Sequence, residues 1–185
     1  ELHEVACHVI ARNVDYHSWY EDHYGYGQSE YFAEDSLDSF DLHDLEIPYP
    51  DEFVYRETKM ENEFKLTADM LREHITDKTK MLILPYPNNP TGAVMTKEDL
   101  EPIADIVNKY NLIVLSDEIY SELTYGDNKH VSIASLPDMK DRCVVVNGFS
   151  KAYAMTGWRL GFTLANPILT KAMTKVHQYA IMSSP

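Results

Sequence analysis

Three short stretches gather most of the side chains that could do chemistry. Residues 85–92 (PYPNNPTG) offer the amide of Asn89, and residues 116–120 (SDEIY) offer the Asp117 carboxylate and the Tyr120 phenol. Residues 147–159 (NGFSKAYAMTGWR) supply the Lys151 amine and the Arg159 guanidinium. A hydrogen-bonding amide, an acid, a phenol and two cations are the groups that bind ligands and move protons. Each has an ordinary explanation by itself. Asn89 before Pro90 shapes a turn, Asp117 caps a helical turn, and Lys151 and Arg159 are solvated charges. Their joint spacing argues against four separate accidents. So does the placing of Gly92, Gly148, Gly157 and Gly161, four of only seven glycines, in or beside these segments.

The intervening sequence says how the three stretches are held. Residues 52–58 (EFVYRET) alternate as a strand does, while 81–84 (MLIL), 112–115 (LIVL) and 143–146 (CVVV) are short apolar runs typical of strands buried on both faces. Residues 159–165 read as a further strand. Thr67 is expected to cap a helix reaching about residue 75. Thr96 caps another over 97–110, where Leu100, Ile103, Ala104, Val107 and Tyr110 recur with helical spacing. Pro167 opens a closing helix over 167–181. Buried strands alternating with amphipathic helices imply an α/β fold, a mostly parallel sheet flanked by helices. Ligands bind such sheets beyond the carboxyl ends of the strands, where all three stretches fall.

Composition narrows the function further. The chain has 185 residues, 44% hydrophobic and 25% charged, suiting one domain or a large piece of one. No apolar run approaches the ~20 residues of a membrane helix, and no secretory leader is visible. Cys7 and Cys143 stand 136 positions apart without a CxxC partner, which points to a reducing cytoplasm and away from disulfides or zinc. The histidine pairs His3/His8 and His17/His23 miss the i, i+4 spacing of a helical zinc site, so no metal is expected. A net charge of −14 is the wrong sign for nucleic acid. Residues 1–60 hold 15 acidic against 3 basic side chains, and the remainder 15 against 13. Residues 1–50 thus read as an acidic, tyrosine-rich segment with one helix around 3–13, and 51–185 as the regular unit.

NNPTG, SDEIY and SKAYAMTGWRLGF resemble the three signature segments of the class I/II aminotransferases, members of the fold-type I pyridoxal-phosphate enzymes. The likeness runs from about residue 52 to 185. Its spacings are similar to the family's: 28 residues from Asn89 to Asp117, 34 to Lys151 and 8 to Arg159. The resemblance implies a partial large domain that binds pyridoxal 5'-phosphate, with amino acids and 2-oxo acids as substrates. It implies that Lys151 forms the internal Schiff base and then shuttles the substrate proton, and that Asp117 holds the pyridine nitrogen protonated. Asn89 and Tyr120 are implied donors to the cofactor's phenolic oxygen, and Arg159 the grip on its phosphate.

Departures from the family pattern are visible too. Gly148 stands where members often carry serine or threonine. Residues 1–50, with Gly25 and Gly27, match neither the glycine-rich phosphate turn nor the stacking ring, for which Tyr16, Trp19, Tyr20 and Tyr31 are only generic choices. The chain is expected to be about half of a usual member, stopping before the arginine that binds the substrate carboxylate. Activity of the chain alone is therefore open. Carbon–sulfur lyases and aminocyclopropane-carboxylate synthases share the motifs and are the rivals within the cofactor class. Outside it stand a non-catalytic fragment and the effector domain of a transcription regulator, although no basic recognition helix precedes the motifs. Homo-oligomerisation is expected, as in the family.

Overall fold

The computed structural model describes residues 5–12 and 53–180. The apolar runs become strands because each backbone N–H and C=O finds a partner on a neighbouring run. Strand β1 is Val5–Arg12, β2 Phe53–Thr58, β3 Thr79–Pro85, β4 Ile113–Asp117, β5 Cys143–Gly148 and β6 Gly161–Leu164. They form one sheet in the order β2-β1-β3-β4-β5-β6. The β3–β4 and β4–β5 pairs are parallel, and β1 and β6 run against their neighbours. The result is a mixed, mostly parallel sheet.

One expectation fails at the amino end. The helix anticipated around residues 3–13 is strand β1 instead, lying between β2 and β3, with Val9 opposite both Tyr55 and Ile83. A lone helix of this length is marginal in water. Ladders on both sides satisfy its backbone, and Val5, Val9 and Ile10 are β-branched, which suits a strand. The residues at 13–52, including the aromatic choices at 16–31 and His17 and His23, lie outside the described residues.

Helix α1 is Ala68–Arg72, α2 Lys97–Lys109 and α3 Pro167–Ala180. The two expected caps are present: Thr67 Oγ1 accepts from Met70 N, and Thr96 Oγ1 from Asp99 N. At Thr96 the cap is reciprocal, because the Asp99 carboxylate accepts from Thr96 N at 2.8 Å. Lys65 adds an ion pair to that carboxylate at 3.0 Å. Burial would press the Asp99 carboxyl upward, but the Thr96 N–H and Lys65 hold it below its usual range. Thr96→Ala is expected to cost about 1 kcal/mol, measured as a fall in the urea midpoint. An unchanged midpoint would show the cap to be idle.

The apolar stripe of α2, Leu100, Ile103, Ala104, Ile106 and Val107, is buried together with Leu82, Leu84, Val114 and Cys143 of the strands. The sheet's two faces are not equally covered. In β3, Leu82 and Leu84 are buried while Met81 and Ile83 are half-buried; β4 alternates likewise, with Val114 and Ser116 buried. Strand β6 is exposed along its length. The continuous apolar runs thus serve a sheet whose α2 side is the drier one.

Candidate active site

Strands β3, β4 and β5 are parallel neighbours, so their carboxyl ends deliver the next residues to one edge of the sheet. Past β3, the loop folds around Asn88, which is largely buried. Its backbone N–H donates to Ala93 O, its carbonyl accepts from Gly92 N, and its side-chain oxygen accepts from Thr91 Oγ1 at 2.9 Å. Gly92 sits at φ 72°, a backbone state that costs glycine little, and this lets the loop close. Asn89 is left exposed at the tip, in cis linkage to Pro90.

Past β4, Asp117 lies opposite Pro85 of β3 and Val146 of β5. Its Oδ1 accepts from Ile119 N at 3.2 Å, the local capping bond its position suggested. That turn swings Tyr120 back over the edge, where Asn89 Nδ2 donates to Tyr120 Oη at 3.1 Å. The loops after β3 and β4 therefore meet through these two side chains. Past β5, Lys151 Nζ lies 5.4 Å from the centre of the Tyr120 ring, close enough for cation–π attraction. Among the described residues the amine makes no ion pair or hydrogen bond, and the phenolic proton has no acceptor.

The structure thus brings Asn89, Tyr120 and Lys151 together, with Asp117 three residues before Tyr120 on the same turn. Arg159 stands apart from these contacts. It takes a left-handed φ of 54° and its Nη1 donates to Thr156 O at 3.1 Å. Gly148, the departure from the family pattern, is buried, and a Cβ there would stand 2.9 Å from Leu160 O and 3.2 Å from Ile119 Cδ1. A hydroxyl-bearing side chain at 148 has no room. Ser150 remains half-exposed in the turn. Two surface hollows, one beside Arg72 and Tyr110 and the other beside Leu66 and Asp99, contain none of the five residues. Asn89, Lys151 and Arg159 are exposed at this edge, and Asp117 and Tyr120 are half-buried.

Residues 50–185 match the family described as aminotransferase class I and II. The chain belongs to that family. It is 52% identical over 132 residues to the putative aminotransferase YugH of Bacillus subtilis, covering 71% of this chain and 34% of the relative. It is 52% identical over 122 residues to the aspartate aminotransferase of Pyrococcus abyssi, covering 66% and 31%. The crystal structure of an aromatic aminotransferase from Pyrococcus horikoshii superposes with a TM-score of 0.67 at 51% identity, covering 69% of this chain and 34% of that one. The matched residues therefore span about a third of the relatives' length, and the chain covers only part of such an enzyme. The family uses pyridoxal phosphate. Among the described residues no helix is long and apolar enough to cross a membrane.

A second cluster, which the motifs did not announce, lies beside the first. Glu118 is buried, its side chain 6% exposed. Its Oε1 accepts from Ser116 Oγ at 3.0 Å and Ser132 Oγ at 2.6 Å, and its Oε2 lies 2.7 Å from His130 Nε2. Burial would push the Glu118 carboxyl up, but the hydrogen bonds from His130 and Ser132 outweigh it and hold the carboxyl below its ordinary value. Strand alternation was the available signal, since Ser116 and Glu118 share a face and Asp117 takes the other. The partners at 130 and 132 were too distant in sequence to read. Burial first, then the Glu118 charge, pushes the Cys143 thiol up to about 12. It is therefore no nucleophile at neutral pH.

A depressed carboxyl has a definite pH consequence. The stability it contributes is complete above the unfolded glutamate value of about 4.3 and is lost as pH falls through the lower folded value. Glu118→Gln is expected to be less stable than the parent at neutral pH, with the two converging in acid. Urea midpoints measured from pH ~7 to ~3 check this. Parallel curves would refute it.

Proposed function

We propose that this chain forms part of the pyridoxal-phosphate site of an aminotransferase that moves an amino group between an amino acid and a 2-oxo acid. The observation carrying this reading is the meeting of Lys151, Tyr120 and Asn89 at the ends of adjacent parallel strands. The donor set fits the group: a free amine for an aldehyde carbon, a phenol and an amide for a ring oxygen, and a carboxylate for a protonated ring nitrogen. Bound pyridoxal phosphate supplies a ring that takes up electron density from the substrate α-carbon.

Each residue then has a defined role. Lys151 Nζ would hold the cofactor at its aldehyde carbon, and its amine would serve as the base for the substrate α-carbon proton. Asp117 keeps the ring nitrogen's proton in place. Asn89 Nδ2 and Tyr120 Oη donate to the ring oxygen. Arg159 binds the phosphate, for which its present bond to the Thr156 carbonyl leaves most of the guanidinium free. The acidic segment 1–50 and the cofactor-binding portion 51–185 are the two parts of the chain in this reading, which also takes the protein to be cytoplasmic and a homo-oligomer.

The test is covalent capture. The chain is mixed with pyridoxal phosphate, reduced with borohydride and digested, and the labelled peptide is identified by mass. A label confined to Lys151 is expected. No label, or a label spread over the other lysines, overturns the proposal.

A further inference from the structure

Glu118 is a buried charge that none of the tasks above uses, and burying a carboxylate is costly unless it is fully paired. Three side chains pair it here, two of them from a segment 12 and 14 residues further along the chain. Glutamate, histidine and serine also make hydrolytic triads, but those need the histidine between the other two. Here the carboxylate is in the middle and Ser132 donates to it directly, so no base activates the serine.

What the cluster does is hold the backbone. Glu118 N donates to Val146 O at 2.8 Å, extending the β4–β5 ladder past Asp117, and Glu118 O accepts from Ser121 N at 2.9 Å. A second tie joins the same turn to β5, where Asn147 Nδ2 donates to Ser121 Oγ at 3.1 Å. Asp117, whose side chain leaves the opposite face, directly precedes these anchors, and Tyr120, which meets Asn89 and Lys151, lies between them. A small rotation at 118 moves both neighbours.

We propose that Glu118 is a positioning residue: clamped by Ser116, His130 and Ser132, it anchors the turn that presents Asp117 and Tyr120, and so sets how those groups meet pyridoxal phosphate. This rests on the functional reading above. Groups that orient metal ligands are worth about tenfold or more in metal affinity, and the same scale is expected for a group that orients cofactor-binding side chains.

The experiment uses the full 185-residue chain and the variants Ser132→Ala, Ser132→Thr and His130→Gln. Three quantities are read: the pyridoxal-phosphate dissociation constant, the absorption maximum of the bound cofactor, and the thermal midpoint. Ser132→Ala and His130→Gln are expected to bind about tenfold more weakly with a shifted maximum, and Ser132→Thr, which keeps the hydroxyl, to restore both. Parental affinity and spectrum in Ser132→Ala, with only the midpoint lowered, would show a purely structural cluster and overturn the inference. Should His130→Gln fail to fold, Ser132→Ala decides, because it removes one bond of three. A parent chain that binds no pyridoxal phosphate overturns the functional reading, and this inference with it.

Discussion

Lys151→Arg is expected to reduce borohydride-trapped pyridoxal phosphate to background while leaving the thermal midpoint unchanged. The side chain is exposed and forms no ion pair or hydrogen bond among the described residues, so the fold does not depend on it. Surface substitutions of this kind usually stay within about 0.5 kcal/mol. Arginine keeps the positive charge above the Tyr120 ring, preserving that attraction. It cannot release a proton near neutral pH, so it has no lone pair with which to hold an aldehyde carbon. The substitution thus separates charge from nucleophilicity at one atom. Persistent labelling in the variant would move the reactive amine to another lysine. A collapsed midpoint would show that the lysine holds the loop together.

Leu82→Ala is the other large effect, and it acts on the scaffold. Leu82 is 0% exposed and lies in β3, opposite Ile10 of β1 and Val114 of β4. Truncation leaves a cavity in the same core as the α2 stripe, and the cost for a buried leucine is about 3 kcal/mol. Domains of this size have only ~5–15 kcal/mol in hand, so the urea midpoint falls steeply. Ile103→Val, on α2 in the same core, is expected to cost only about 1 kcal/mol and calibrates the measurement. A Leu82→Ala loss no larger than that of Ile103→Val would mean that α2 and β3 do not share a close-packed core.

The two substitutions probe different levels of one arrangement. Leu82→Ala loosens the sheet whose strand ends carry the loops, and Lys151→Arg changes one atom at the end of one loop. Trapping by a folded fraction of Leu82→Ala should therefore still occur at Lys151, in smaller yield. The Glu118 cluster lies between these levels, joining the strand end to the turn.

Local features were readable where short-range physics decides them. The Thr67 and Thr96 caps need only a hydroxyl and an N–H three residues on, and the α2 stripe needs only the helical period. The runs at 81–84, 112–115 and 143–146 became β3, β4 and β5 because strands this apolar must be buried. The three motifs were legible for a related reason. In a parallel sheet, the residues after each strand reach the same edge, so order and spacing alone brought Asn89, Tyr120 and Lys151 into one neighbourhood.

Tertiary structure decided what depends on partners distant in sequence. Residues 5–12 are compatible with helix or strand taken alone, and ladders to β2 and β3 settle them as β1. Glu118 looks in sequence like one acid among thirty. Only the fold brings His130 and Ser132 to it and makes a buried carboxylate affordable. Gly148 reads as a missing hydroxyl, yet the approach of Leu160 and Ile119 leaves no volume there for one. The division follows from the range of the forces. Periodicity, capping and turn chemistry act over a few residues and are written in the sequence directly, whereas strand pairing, desolvation of a charge and exclusion of a side chain depend on atoms that only the folded chain brings near.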